Sequence, residues 1–279
     1  MISDSAARTH STRLGPGAFA ALMVLASFSL GACHSESCFS NAKGWSNSCP
    51  GAPGVDTTSP PVVSAADAYL TAFPRAENPF SDSGRWVNGG DAGLDWQNVR
   101  TVPGKAFATD FATGYNDAIA VLNASLSPNQ FAQGTVTRAA GYDPTVKHEI
   151  ELLLRFKIEP HRARGYEVLW GKNGDIFIVR WNGPLNSYTA LAGRADMAPG
   201  REGDRLRAEV VGTKIKVYRN GALVLVASDS TWKDGQPGMG FWPKPGATID
   251  AYGWTDYQAG SLALPGAPAG KEALEAATP

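Results

Sequence analysis

Beyond residue 49 the chain contains no cysteine, since all 3 stand earlier, at 33, 38 and 49. The long remainder therefore has neither a disulfide framework nor a thiolate metal site. Histidine is nearly as scarce. Only His148 and His161 follow residue 34, too few for an imidazole zinc site. Charge of one sign is missing too: a net charge of −1 over 279 residues leaves no basic field for nucleic acid, and none is expected as a partner. No Gly-x-Ser-x-Gly elbow occurs. In "GYEVLWGKN" (165–173) the Gly-to-Gly-Lys spacing is one residue too long for a phosphate loop, and Asn173 stands where a magnesium-holding hydroxyl would. After residue 64 no segment keeps a helical period over three turns.

What the chain has is strands. "HEIELLLRFKI" (148–158) puts Ile150, Leu152, Leu154, Phe156 and Ile158 on one face and Glu149, Glu151, Arg155 and Lys157 on the other. "GYEVLWG" and "DIFIVRW" follow, joined by turn residues, then "NSYTALA", "RLRAEVVG", "TKIKVYR", "ALVLVAS", "GMGFW" and "IDAYGW". Asn220-Gly221 supplies the two positive φ angles of a type I′ hairpin turn. Earlier, "AFATDF", "YNDAIAVLNA" and "QFAQGTVTRAA" also read as strands. The pattern predicts an all-β sandwich or barrel with antiparallel neighbours.

The N-terminus reads as an address. Arg8 and Arg13 precede the apolar "AFAALMVLASFSL" (18–30), the length of a signal-peptide core and short for a membrane span. Leu30-Gly31-Ala32-Cys33 then resembles the bacterial lipobox. This resemblance implies a signal peptide over 1–32 and lipidation of Cys33 in the cell envelope. His34, where Asp would mark inner-membrane retention, favours the outer membrane of a Gram-negative host. In that oxidising place a disulfide between Cys38 and Cys49 is expected over two free thiols. Residues 33–64 read as a Ser/Gly/Pro-rich linker, 65–258 as the domain and 259–279 as a disordered tail.

"GDRLRAEVVGTKIKVYRNGALVLVASDSTWKDGQPGMGFW" (203–242) resembles the C-terminal half of concanavalin A-like lectin/glucanase domains, laminin-G-like modules among them. "FPRAENPFSDSGRW" (73–86) resembles their first strand, and "TIDAYGW" (248–254) the last strand beside it. The resemblance implies a two-sheet antiparallel jelly roll. Glucanases of this kind carry a Glu, an Asp two residues on and a second Glu on one strand face. Here Glu149 matches the first, Glu151 replaces the Asp, and Leu153 or Leu154 stands in the third place. Without that acid the pair reads as a charged solvent face, and no catalytic residue is assigned.

Seven of the 8 tryptophans lie in the domain. Trp86, Trp96 and Trp254 read as core or strand ends. Trp170, Trp181, Tyr188 and Trp242 are the candidate stacking residues of a concave face, with Arg180 and Asn182 as donors to sugar oxygens. Arg180 should pair with Glu151 or Glu167, or reach a cleft, and as neighbours Arg180 and Trp181 should point to opposite faces. No metal ligand set is assigned and no cofactor expected. Calcium is the one candidate, at Asp229, Asp234, Asp250 and Asp256. The expected function is glycan or polysaccharide binding by a monomeric, lipid-anchored module. The alternatives are a structural or adhesive protein-binding module and a carbohydrate-active hydrolase or lyase.

Overall fold

In the computed structural model residues 62–63 and 68–263 are described. Cys33, Cys38 and Cys49, the expected signal peptide and the end of the expected tail lie outside them.

Sixteen strands build two antiparallel sheets. The first sheet has the order β14 (Ala222–Ser228), β13 (Lys214–Arg219), β12 (Arg205–Val211), β7 (Gln130–Arg138), β16 (Tyr252–Ala263), β5 (Lys105–Ala108), β4 (Val99–Val102). Two short strands, β1 (Val62–Val63) and β2 (Tyr69–Thr71), also pair with β16. The second sheet runs β11 (Tyr188–Arg194), β10 (Ile176–Pro184), β9 (Arg162–Gly171), β8 (His148–Glu159), β15 (Gln236–Pro243), β6 (Ala118–Leu122), β3 (Trp86–Asn88). Among the described residues there is no α-helix, only a 3-10 turn over Ile249–Ala251. The architecture is the all-β, two-sheet antiparallel jelly-roll sandwich expected from the sequence.

Alternation makes the core. Ile150, Leu152 and Leu154 of β8, Tyr166, Val168 and Trp170 of β9, and Leu206, Ala208 and Val210 of β12 all enter the layer between the sheets. Asn220 and Gly221 have φ of 51° and 83°, as a type I′ turn requires, and join β13 to β14. The first-strand reading of 73–86 needs correction. That stretch is loop over most of its length, with Phe73 and Phe80 plugged into the core, and β2 just ahead of it takes the place beside β16. β16 continues to Ala263, past the expected domain end at 258, and Val62–Val63 pair with its last residues.

β8 departs from simple alternation. Arg155 takes a left-handed φ of 45° and the register slips between Leu154 and Lys157. Its backbone N–H donates to Gln130 Oε1, and its guanidinium donates to the carbonyls of Pro128 and Trp232. This bulge turns Phe156 away from the sandwich core, where periodicity had placed it, and into a second apolar cluster. The second cluster lies on the outer face of the second sheet. Leu153, Phe156, Val179 and Trp181 form its floor, and Leu94 and Trp96 from the preceding loops cover it.

Candidate functional site: a carboxylate cluster under aromatic cover

The outer face of the second sheet is where the odd-numbered β8 residues ahead of the bulge point, Glu149, Glu151 and Leu153. Register sets the pattern. Trp242 is opposite Glu149, Gly240 opposite Glu151 and Leu153 opposite Glu167. Glu167 of β9 is thus the diagonal neighbour of Glu151, within side-chain reach. Asp117 enters from the other side, immediately before β6, whose Ile119 pairs with Gly240. Ligand oxygens of Asp117, Glu151 and Glu167 all lie within 4.8 Å of one another, and all three residues are buried.

Gly240 makes room for this arrangement. A Cβ there would stand 2.1 Å from Glu151 Oε2, so only glycine lets the carboxylate lie across β15. That oxygen has no hydrogen-bond partner, although Glu151 is only 1% exposed. Glu167 is better served, because Trp181 Nε1 donates to its Oε2 at 2.6 Å.

Among the described residues no Arg pairs with these acids. Burial, then the charges of Glu167, Asp117 and Glu149, raise Glu151 well above the usual carboxylate range. Asp117 is raised well above its ordinary value by burial and then by Glu167 and Glu149, against the pull of Lys244. Burial, with Glu167 next, pushes half-buried Glu149 up to about 8, while Lys147 and Lys244 oppose the rise. Glu167 is pushed to about 7 by burial, moderated by the Trp181 hydrogen bond.

Aromatic rings continue outward from the acids. Trp181 meets Trp96 edge-on at 4.7 Å and Tyr188 at 5.6 Å, and Tyr188 meets Tyr115 at 5.6 Å. Tyr115 and Tyr188 are 42% and 40% exposed, an open pair of faces. Beside them Asp95, Trp96, Tyr115, Asn116, Leu185 and Asn186 line a cleft of about 290 Å³. Trp242 stands next to Glu149, its Nε1 donating to the Gly114 carbonyl and Lys244 lying 4.1 Å over its ring.

Of the expected ligand residues, Trp181, Tyr188 and Trp242 do share this outer face. Trp181 is only 3% exposed, so it supports rather than stacks. Trp170 is a correction. It is fully buried in the sandwich core because even-numbered β9 residues point inward, and Arg219 covers its ring at 4.7 Å. Arg180 and Asn182 are corrections of the same kind. Arg180 points away from Trp181, as alternation demands, and its partner is neither Glu151 nor Glu167. It binds Asp229 Oδ2 at 2.5 Å and Thr231 Oγ1 at 2.7 Å. Asn182 accepts from Arg180 Nε and donates to Thr189 Oγ1.

The solvent-face reading of Glu149 and Glu151 also fails, because the cluster encloses Glu151. The expected calcium aspartates do not converge. Asp229 is taken by Arg180, Asp234 by Lys157 and Arg164, and Asp250 by Lys105, while Asp256 lies on β16. Sequence reasoning missed Tyr115 and Asp117. It met Glu167 only as a partner for Arg180, although a carboxylate in a strand apolar on both faces was itself a signal.

No family model and no curated protein sequence matches the chain. Several solved structures are similar to it. The carbohydrate-binding module CBM66 from Bacillus subtilis is 15% identical, with 64% of this chain and 93% of that one covered at a TM-score of 0.45. The potassium-bound Emp46p carbohydrate recognition domain is 10% identical, covering 68% and 94% at 0.48. A Bacillus licheniformis beta-glucanase is 12% identical, covering 70% and 95% at 0.43. Likeness at this level says nothing of what this chain binds.

Proposed function

We propose that the protein binds an extended glycan across the outer face of the second sheet, at Tyr115 and Tyr188. The observation that carries this is the open tyrosine pair beside the 290 Å³ cleft. Exposed aromatic faces next to a cleft with polar lining are what apolar sugar CH groups and their hydroxyls require. Trp181 and Trp96 brace the tyrosines from beneath, and Asp95, Asn116 and Asn186 offer hydrogen bonds from the rim. Affinity electrophoresis against a polysaccharide panel tests it. The wild-type protein is retarded by at least one polysaccharide, and Tyr188→Ala migrates as in the blank gel. If the wild type is retarded by none, a structural or adhesive role replaces this reading.

The lipobox-like Leu30–Cys33 supports an envelope lipoprotein with the domain carried on a linker. A single acyl chain binds a membrane only marginally, and the lipobox resemblance implies several on this anchor. Cys33→Ser then moves the protein from the membrane to the soluble fraction. A wild type already soluble, with Cys33 unmodified, contradicts the anchor.

One observation favours a second reading, glycoside cleavage. Glu167 supplies from β9 the third carboxylate that β8 lacks, beside Glu149 and Glu151. Reducing ends or unsaturated products released from a retained polysaccharide would establish it.

A further inference from the structure

The oxygen cluster is an unbalanced charge. Three carboxylates from three segments of one sheet converge within 4.8 Å, each at least nine-tenths buried. Elsewhere in the described residues the buried Glu209 and the half-buried Asp204 and Asp229 each meet a cation. Asp229 has Arg180, Asp204 has Arg219 and Glu209 has Arg207. Here a basic charge acts on Asp117 alone, that of Lys244, whose ammonium rests on the Trp242 ring. Glu151 Oε2 is aimed into the cluster with no donor, over a glycine that keeps space for it. Burying ionised carboxylates without a counter-charge is costly.

We propose that Asp117, Glu151 and Glu167 are ligands of a hard divalent cation, of the calcium class, set into the outer face of the second sheet. The donors are all oxygen, with no imidazole or thiolate in the cluster, which selects hard cations over zinc or copper. Oxygens lying within 4.8 Å of one another can all approach one ion at roughly 2.3–2.6 Å after small side-chain rotations. Two-oxygen coordination by carboxylates raises the ligand count toward calcium's six to eight, whereas magnesium insists on a near-ideal octahedron and retains waters. The ion draws Glu167 and, through its hydrogen bond, the Trp181 indole into a fixed position beneath Tyr188. The site stands apart from glycan binding and is measured without any sugar.

Terbium, a calcium mimic that luminesces when a nearby tryptophan is excited, reads it directly. Terbium added to the chelator-treated full-length protein gives sensitised emission, since Trp181 touches a ligand. Calcium displaces it, and calcium raises Tm with increasing concentration. Glu151→Gln loses the emission and the Tm rise, while Asp234→Asn, at an exposed acid outside the cluster, keeps both. Circular dichroism confirms that each variant is folded. The wild-type calcium titration stands by itself should Glu151→Gln not fold. Absence of both emission and Tm rise in the wild type overturns the proposal. So does a folded Glu151→Gln that retains the wild-type signal.

Discussion

Arg180 and Trp181 are neighbours in the chain, yet they belong to opposite kinds of polar site. On the inner side Arg180, Asp229, Thr231 and the Tyr166 hydroxyl form a satisfied network at the edge of the sandwich. Burial works against ionisation of Asp229, but donors from Thr231 and Tyr166 and the Arg180 charge outweigh it and hold its carboxyl below the ordinary value. On the outer side Trp181 gives one hydrogen bond to a group of acids that share no such cation, and these are raised. Both sites are acidic, the first half-buried and the second buried. The first holds structure together, and the second is tolerated at a cost to stability. A polar group that costs stability is a candidate for function.

The largest effect is expected where the balanced network is broken. Arg180→Ala leaves half-buried Asp229 without its cation and should cost about 2 kcal/mol, below the range for a fully buried pair. Urea unfolding measures it, and a change within error would mean that the network is ornamental.

The same type of change on the outer face should have the opposite sign. With divalent ions chelated, Glu151→Gln removes a carboxyl whose ionisation the fold opposes and should stabilise the protein at pH 8 by about 1 kcal/mol, the worth of one pKa unit. The pH dependence follows. Folded Glu149 and Glu167 hold their protons to about 8 and about 7, against an ordinary 4.5. The stability they contribute is fully present below pH 4.5 and is lost as pH rises through 7 to 8. The paired aspartates act oppositely, and Asp229 and Asp234, held below their ordinary 3.8, lose their contribution only under more acid conditions. Chelated wild type should therefore unfold at lower urea at pH 8 than at pH 5.5, with a weaker slope in Glu151→Gln. The smallest stability effect belongs to Tyr188→Ala, within about 0.5 kcal/mol for an exposed ring, although glycan retention is lost.

Much of the fold was legible because the strands alternate and the turns carry Gly, Asn and Asp. Asn220-Gly221 and the 205–228 strands came directly from those signals. The site was legible only in part. Period-2 reasoning placed Arg180 and Trp181 on opposite faces, but β9 and β10 are apolar on both sides, so parity could not say that Trp170 faces the core. The bulge at Arg155 depends on Gln130, a residue distant in sequence, and no local pattern announces it. The cluster itself joins Asp117, Glu151 and Glu167 through the non-local pairing of β15 with β6 and β8. Reading along β8 alone found two acids and missed the others, because the third and fourth come from other segments.

The division between the two faces is tested most directly by the indole N–H signals of the seven domain tryptophans. They would be followed by NMR while the protein is titrated with oligosaccharides from a retained polysaccharide. Trp96, Trp181 and Trp242, around the tyrosine pair and the acids, should shift together, with Trp232 following weakly through its indole hydrogen bond to the Trp181 carbonyl, while core Trp170 and Trp254 stay in place. Shifts centred on Trp232, with Trp96 and Trp242 unchanged, would contradict the account and move the functional surface to the opposite edge of the sandwich.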